Sequence, residues 1–259
     1  MTPRVHVRWT PLPTGPFAVD TLLPLLTDEE RMRYAGTLDE STASRFVVGR
    51  VALRMLAAEL VTEHAKARGG DPVPPTALVV SAHCAVCGGP HGRPQLQLTS
   101  PKGRPISVSV AHCAAGVAVA ATWRGPVGID VEAADAGVEL LSAVTALVPA
   151  ASRPTGRQWE PIQHWTRLEA VVKADGRGLA LDPADVRIRT RDGAIEASVE
   201  KPASGDQGAG EYAVADLRLD PAVRASVAVR LPGVPKKPVV PLTSWRRLDL
   251  ADLEATARP

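Results

Sequence analysis

Between Arg4 and Trp9 the chain alternates polar and apolar residues, Val5, Val7 and Trp9 falling on one side, and this period of two predicts an N-terminal strand. The period then lengthens. In "LDESTASRFVVGRVALRMLAAELVTEHAKARGG", residues 38–70, polar starters precede Leu53, Leu56 and Leu60 at helical spacing, and Gly69 and Gly70 supply a stop, so a long helix is expected. A loop-rich connection over 71–94 surrounds one short strand. "PISVSVAHC" (105–113) and "GVAVAATW" (116–123) read as strands, and an "RGP" turn leads into another, "VGIDVE" (127–132).

Beyond it come a helical stretch from about Val138 to Leu147, a Pro/Gly-rich break over 149–156, and a second good helix over "EPIQHWTRLEAVVKA" (160–174). "VRIRTRDGAIEASVE" has the pattern of a hairpin turning at Asp192 and Gly193, and "YAVADLRL" and "ASVAVRL" add strands after a loop. From Pro232 the chain is proline-rich and is expected to wrap the surface or to be loosely ordered. Each half thus carries one long helix and several strands. The expected class is α+β, with two similar α/β halves, 1–125 and 126–259, although no internal sequence repeat links them.

Bulk properties narrow the function classes. With 259 residues, 45% hydrophobic and 22% charged, the chain can bury a sizeable core. No apolar run approaches the ~20 residues of a membrane span, and the first residues lack the apolar stretch of a secretion signal, so a cytoplasmic protein is expected. A net charge of +2 is too mild to announce a nucleic-acid binder, and three cysteines are not a disulfide framework.

Chemistry concentrates in two stretches. In the 127–132 strand, Asp130 and Glu132 share the face opposite Val127, Ile129 and Val131, where both could reach one cation at ~2.1 Å from each oxygen; hard oxygen ligands favour Mg²⁺. A solvated strand face is the alternative. In the 160–174 helix, Glu169 and Lys173 lie one turn apart on a face with Trp165, followed by Gly176, Arg177 and Gly178, a turn in which backbone and guanidinium could meet phosphate. The alternative is a surface Glu/Lys pair and a glycine helix stop.

Together, G-I-D-x-E followed by W-x-x-x-E-A-x-x-K-x-x-G-x-G resembles the 4′-phosphopantetheinyl transferase family, in its larger, pseudo-dimeric Sfp-like type. The resemblance spans roughly residues 45–180. It implies that Asp130, Glu132 and Glu169 hold Mg²⁺ against the pyrophosphate of coenzyme A, and that Lys173 contacts phosphate. It implies further coenzyme A contacts from Arg104 and His112 in "KGRPISVSVAHC", where Ala111 and Cys113 replace the family's flanking serines. Arg50 and Arg54, one turn apart, call for an anion between or beside them unless they are merely solvated; the resemblance offers the 3′-phosphate, with Arg45 and Arg177 as additional contacts. Leu168 stands where a basic residue usually precedes the helix glutamate.

The implied reaction moves 4′-phosphopantetheine from coenzyme A onto a serine of an apo acyl or peptidyl carrier protein and releases 3′,5′-ADP. Catalytic roles then fall to Glu169, Lys173 and Glu132, with the proton acceptor left open among Glu132, Glu169 and a metal-ordered water. The two halves would already pair within one chain, so a monomer is expected. Competing readings are a non-catalytic relative that binds coenzyme A or carrier proteins, and a zinc-dependent nucleic-acid module around Cys84 and Cys87, flanked by His83 and His91.

Overall fold

A computed structural model describes residues 2–13, 17–83, 88–89, 92–96, 98, 105–148, 160–200 and 210–257. Its class is α+β, with several sheets. The chain separates into two compact units, one made of residues 6–123 and 244–259 and the other of residues 1–5 and 124–243.

The first unit is organised by α2 (Glu40–Lys66), which follows α1 (Asp28–Ala35). Asp39 caps α2 by accepting from the Thr42 backbone N–H, and the interior of the helix is apolar nearly all round, with Val47, Val51, Leu53, Leu56 and Leu60 all buried. It lies on a sheet of β1 (Arg4–Pro11), β4 (Ser107–Cys113), β5 (Gly116–Thr122) and β11 (Leu242–Arg247), in the order β11-β1-β5-β4. Every residue of β5 is buried, which is why it reads as an unbroken apolar run rather than an alternation. Between α2 and β4, β2 (Val80–Ser81) and β3 (Gln95–Leu96) form a small separate pair.

The second unit contains β6 (Val127–Ala133), α3 (Val138–Leu147), α4 (Pro161–Asp175), β7 (Val186–Arg191), β8 (Ala194–Val199), β9 (Gly210–Leu217) and β10 (Val223–Arg230). Its antiparallel sheet runs β6-β10-β9-β8-β7. The β7–β8 hairpin turns at Asp192 and Gly193, both at positive φ (47° and 78°), as a two-residue turn between right-twisted strands requires. Leu168, Val171 and Val172 of α4 pack with Val144, Tyr212, Val214 and Ala228, each fully buried aliphatic side chain contributing roughly 1.5–3 kcal/mol.

The C-terminal segment departs from expectation. Rather than being loosely ordered, residues 242–247 form the exposed edge strand β11 and Leu250–Ala257 form α5, and residues 244–259 belong to the unit built on α2. Leu248 and Leu253 are buried in that unit's core, which anchors the stretch that follows the run of prolines from Pro232 to Pro241. Among the described residues, no helix is long and apolar enough to cross a membrane.

Candidate active site

Alternation along β6 turns Gly128, Asp130 and Glu132 to one face, and α4 packs directly on this strand. Gly128 is what permits the approach. A Cβ at this position would lie 2.0 Å from the Ala170 carbonyl oxygen, 2.5 Å from the Ala174 nitrogen and 2.9 Å from the Lys173 Cβ, so any side chain there would lift the helix.

With the helix seated, Lys173 reaches over the strand and its Nζ donates to Asp130 Oδ1 at 2.6 Å. Asp130 is 5% exposed, and among the described residues nothing donates to its second oxygen, Oδ2. Such a buried carboxylate oxygen costs stability unless a proton donor or cation answers it. Glu132, two residues on, holds its proton up to about pH 7 because burial disfavours its charge and Asp130 and Glu169 repel it; Lys173 and a hydrogen bond from Trp165 only partly offset this. Burial and Asp130 likewise push the Glu169 carboxyl upward, against Lys173. One helix and one strand thereby bring Asp130, Glu132, Glu169 and Lys173 into a single electrostatic cluster with more acid than base.

Among the described residues no three His, Cys, Asp or Glu side chains converge into a metal cage. The donor chemistry nevertheless suits a hard divalent cation: the unanswered Oδ2 and two carboxyls pushed up by burial and by the charge of Asp130 are what an added positive charge relieves. Mg²⁺ asks for only one or two carboxylates when substrate phosphates complete its shell, so a cage is not a requirement.

The arginines assigned to nucleotide fare differently. Arg54 donates from Nη2 to Glu30 Oε2 at 2.6 Å and from Nε to the Leu78 carbonyl at 3.0 Å, and the Arg50 Nε lies 3.4 Å from Glu30 Oε1. Glu30, supplied by the chain itself, is thus an anion shared by Arg50 and Arg54. Both side chains are deeply buried, and Arg50 also stacks on the Phe46 ring. Arg177 is likewise taken: its Nε and Nη2 donate to Asp175, whose Oδ2 also accepts from the Tyr212 hydroxyl at 2.8 Å. It latches the end of α4 instead of presenting a free guanidinium to phosphate. Arg45 is half-buried, 4.0 Å from the capping Asp39. His112 is exposed near the end of β4, opposite Val117. Arg104, Cys84, Cys87 and His91 lie outside the described residues, and His83 is exposed.

Two participants, Glu30 and Arg167, were not singled out in the sequence, and a contact of a third, Trp165, was not foreseen. Glu30 carried a readable signal, the Thr27-x-x-Glu30 capping box at the start of α1, in which each side chain bonds the other's backbone. Trp165 was placed beside Glu169 and Lys173, but its hydrogen bond to Glu132 depends on how α4 lies on β6. Arg167, next to Leu168, carries a positive charge but spends it on Asp216 through two hydrogen bonds, while Leu168 points into the core.

No protein-family model matches the chain, and no curated protein gives a significant match.

Proposed function

We propose that this protein is a Mg²⁺-dependent 4′-phosphopantetheinyl transferase of the larger, pseudo-dimeric type, two related α/β halves in one chain, acting on coenzyme A and an apo acyl or peptidyl carrier protein. The observation that carries the reading is the cluster itself, with Asp130 buried and Glu132 and Glu169 half-buried. The G-I-D-x-E strand and the W-x-x-x-E-x-x-x-K helix, more than thirty residues apart, meet with Lys173 on Asp130 and with Glu132 and Glu169 in electrostatic contact. A surface Glu/Lys pair or a solvated strand face gives no reason to gather these carboxyls and draw them partly out of water.

In this reading Asp130, Glu132 and Glu169 would hold the metal, which would supply positive charge to the pyrophosphate. Lys173, half-exposed and already turned toward the carboxylates, adds its ammonium charge where the phosphate of 3′,5′-ADP leaves. The carrier serine oxygen forms the new P–O bond as the bond to the departing nucleotide breaks. Its proton would pass to Glu132, to Glu169 or to a metal-ordered water, the acceptors this cluster offers. Because the nucleophile comes from the partner, the chain needs no serine or cysteine nucleophile of its own. Arg45, Arg50, Arg54, Arg104, His112 and Arg177 are the candidate coenzyme A contacts, of which His112 is exposed.

The deciding experiment is the intact mass of purified apo carrier proteins after incubation with this protein, coenzyme A and Mg²⁺, beside a chelator control. The expected result is a gain of one phosphopantetheine group that disappears with chelator. No gain on fatty-acid, polyketide and peptide carriers, with coenzyme A still bound, would replace the proposal by that of a non-catalytic relative.

A further inference from the structure

One turn before Glu169, α4 is tied to the sheet by polar contacts that the site residues do not make. Gln163 Nε2 lies 2.8 Å from Ser226 Oγ, 3.1 Å from Asp216 Oδ1 and 3.2 Å from the Ala225 carbonyl oxygen. Thr166 Oγ1 and Ser226 Oγ are 3.0 Å apart, both residues fully buried. Arg167 grips Asp216 with Nε at 2.9 Å and Nη2 at 2.5 Å, and the Ser226 hydroxyl donates to the same carboxylate at 3.1 Å. The sheet register connects this knot to the site. Ser226 stands directly opposite Asp130 on one side and opposite Asp216 on the other, so Asp130, Ser226 and Asp216 form one lateral row beneath the helix.

Apolar packing holds a helix against a sheet but specifies its position along its own axis weakly, because burial is non-directional. A slide of α4 by about 1.5 Å, the rise of one residue, would stretch the Lys173–Asp130 contact and these hydrogen bonds together, so each resists it. Gly128 makes room for the helix, and its cleft sets only how close α4 can come. The directional contacts along the row are those of Gln163, Thr166 and Arg167.

Resting on the reading of Asp130, Glu169 and Lys173 as the transfer site, we propose that Gln163, Arg167, Asp216 and Ser226 are positioning residues that set the register of α4 on the sheet and so keep Lys173 on Asp130. They touch no reacting atom. Their effect is transmitted through the seating of one helix, and misplacement by about 1 Å at such a site costs on the order of a hundredfold in rate.

The test compares Asp216→Asn, Arg167→Lys and, as a control with mild core loss on the same sheet, Ile195→Val. Each full-length variant is pulse-labelled with N-hydroxysuccinimidyl acetate well below its unfolding midpoint, and the acetylation rate of Lys173 is read by peptide mass spectrometry. Expected is a several-fold faster labelling of Lys173 in Asp216→Asn, a smaller rise in Arg167→Lys, which keeps the charge, and none in Ile195→Val. In carrier modification, Asp216→Asn should lower kcat on the order of tenfold or more while leaving KM for coenzyme A within about twofold. Unchanged Lys173 labelling in Asp216→Asn, or an equal rise in Ile195→Val, would overturn the proposal and leave the knot a purely structural one. Selective labelling in Asp216→Asn by a protein that modifies no carrier would uphold the positioning role and remove the transferase reading instead.

Discussion

Each unit of this protein buries an unbalanced charge cluster, and the two resolve the imbalance in opposite ways. In the first, Arg50 and Arg54 share Glu30, and burial, aided by Arg33 and Arg54, pulls the Arg50 guanidinium down to about 10. In the second, Asp130, Glu132 and Glu169 share Lys173, and Glu132 is pushed up to about 7. The displacements are alike but the consequences differ. An arginine has so much reserve that at neutral pH it stays charged and simply holds its partner, whereas a glutamate moved as far arrives where protons come and go. A buried cluster of excess cation built from arginine is thus a structural device, while one of excess carboxylate is poised for a cation or a proton.

Breaking the arginine cluster should have the largest effect on the fold. Glu30→Gln leaves two buried guanidiniums without their carboxylate and is expected to cost about 3–5 kcal/mol in urea unfolding. Glu132→Gln, which relieves repulsion, should be neutral or stabilising in the same measurement. If both variants lose stability alike, the contrast between the clusters is wrong.

Next in size is the effect on activity. Asp130→Asn, Glu169→Gln and Lys173→Ala are each expected to lower carrier modification by about a hundredfold or more, measured by intact mass against time, with Asp130→Asn retaining a cooperative unfolding transition. Near-normal turnover in Asp130→Asn would remove this cluster from the reaction.

The pH dependence of stability, in chelator, sharpens the comparison further. Glu132 binds its proton more tightly folded than unfolded, so its contribution is complete below about pH 4.5 and is lost as pH rises to about 7. His164 runs the other way: burial and Arg167 lower it to about 4, so its contribution is present above about pH 6.5 and lost as pH falls through 4. Glu132→Gln should therefore remove the falling arm and His164→Asn the rising arm. Mg²⁺ that binds the cluster should restore stability at and above pH 7, read as a higher unfolding midpoint.

The smallest expected effect concerns the partner. Carrier proteins are typically acidic, so the rate of modification should decline gradually with added salt. A salt-independent rate would place docking on apolar contacts.

Much of the fold was legible along the chain. The strands at 4–11, 107–113, 116–122 and 127–133 and the helices at 138–147 and 161–175 follow from local period and punctuation, because binary patterning and turn chemistry act over a few residues. The C-terminal segment was less so, since the value of Leu248 and Leu253 lies in a core built by residues far earlier in the chain. Within the candidate site, the shared face of Asp130 and Glu132 and the one-turn spacing of Glu169 and Lys173 could be read directly. Their meeting could not, since Gly128 makes room for α4 and the contact exists only across packed elements.

What the sequence determined by itself, then, were the elements and the faces on which charged residues would stand, because side-chain direction repeats with the backbone period. Only the tertiary structure decided which charges would be spent on one another. Arg50 and Arg54 pair with Glu30, Arg177 with Asp175 and Lys173 with Asp130, and no local pattern prescribed these partners. Pairing between charges is settled by through-space distance and by how much water each partner loses, and both come into being when helix and sheet pack.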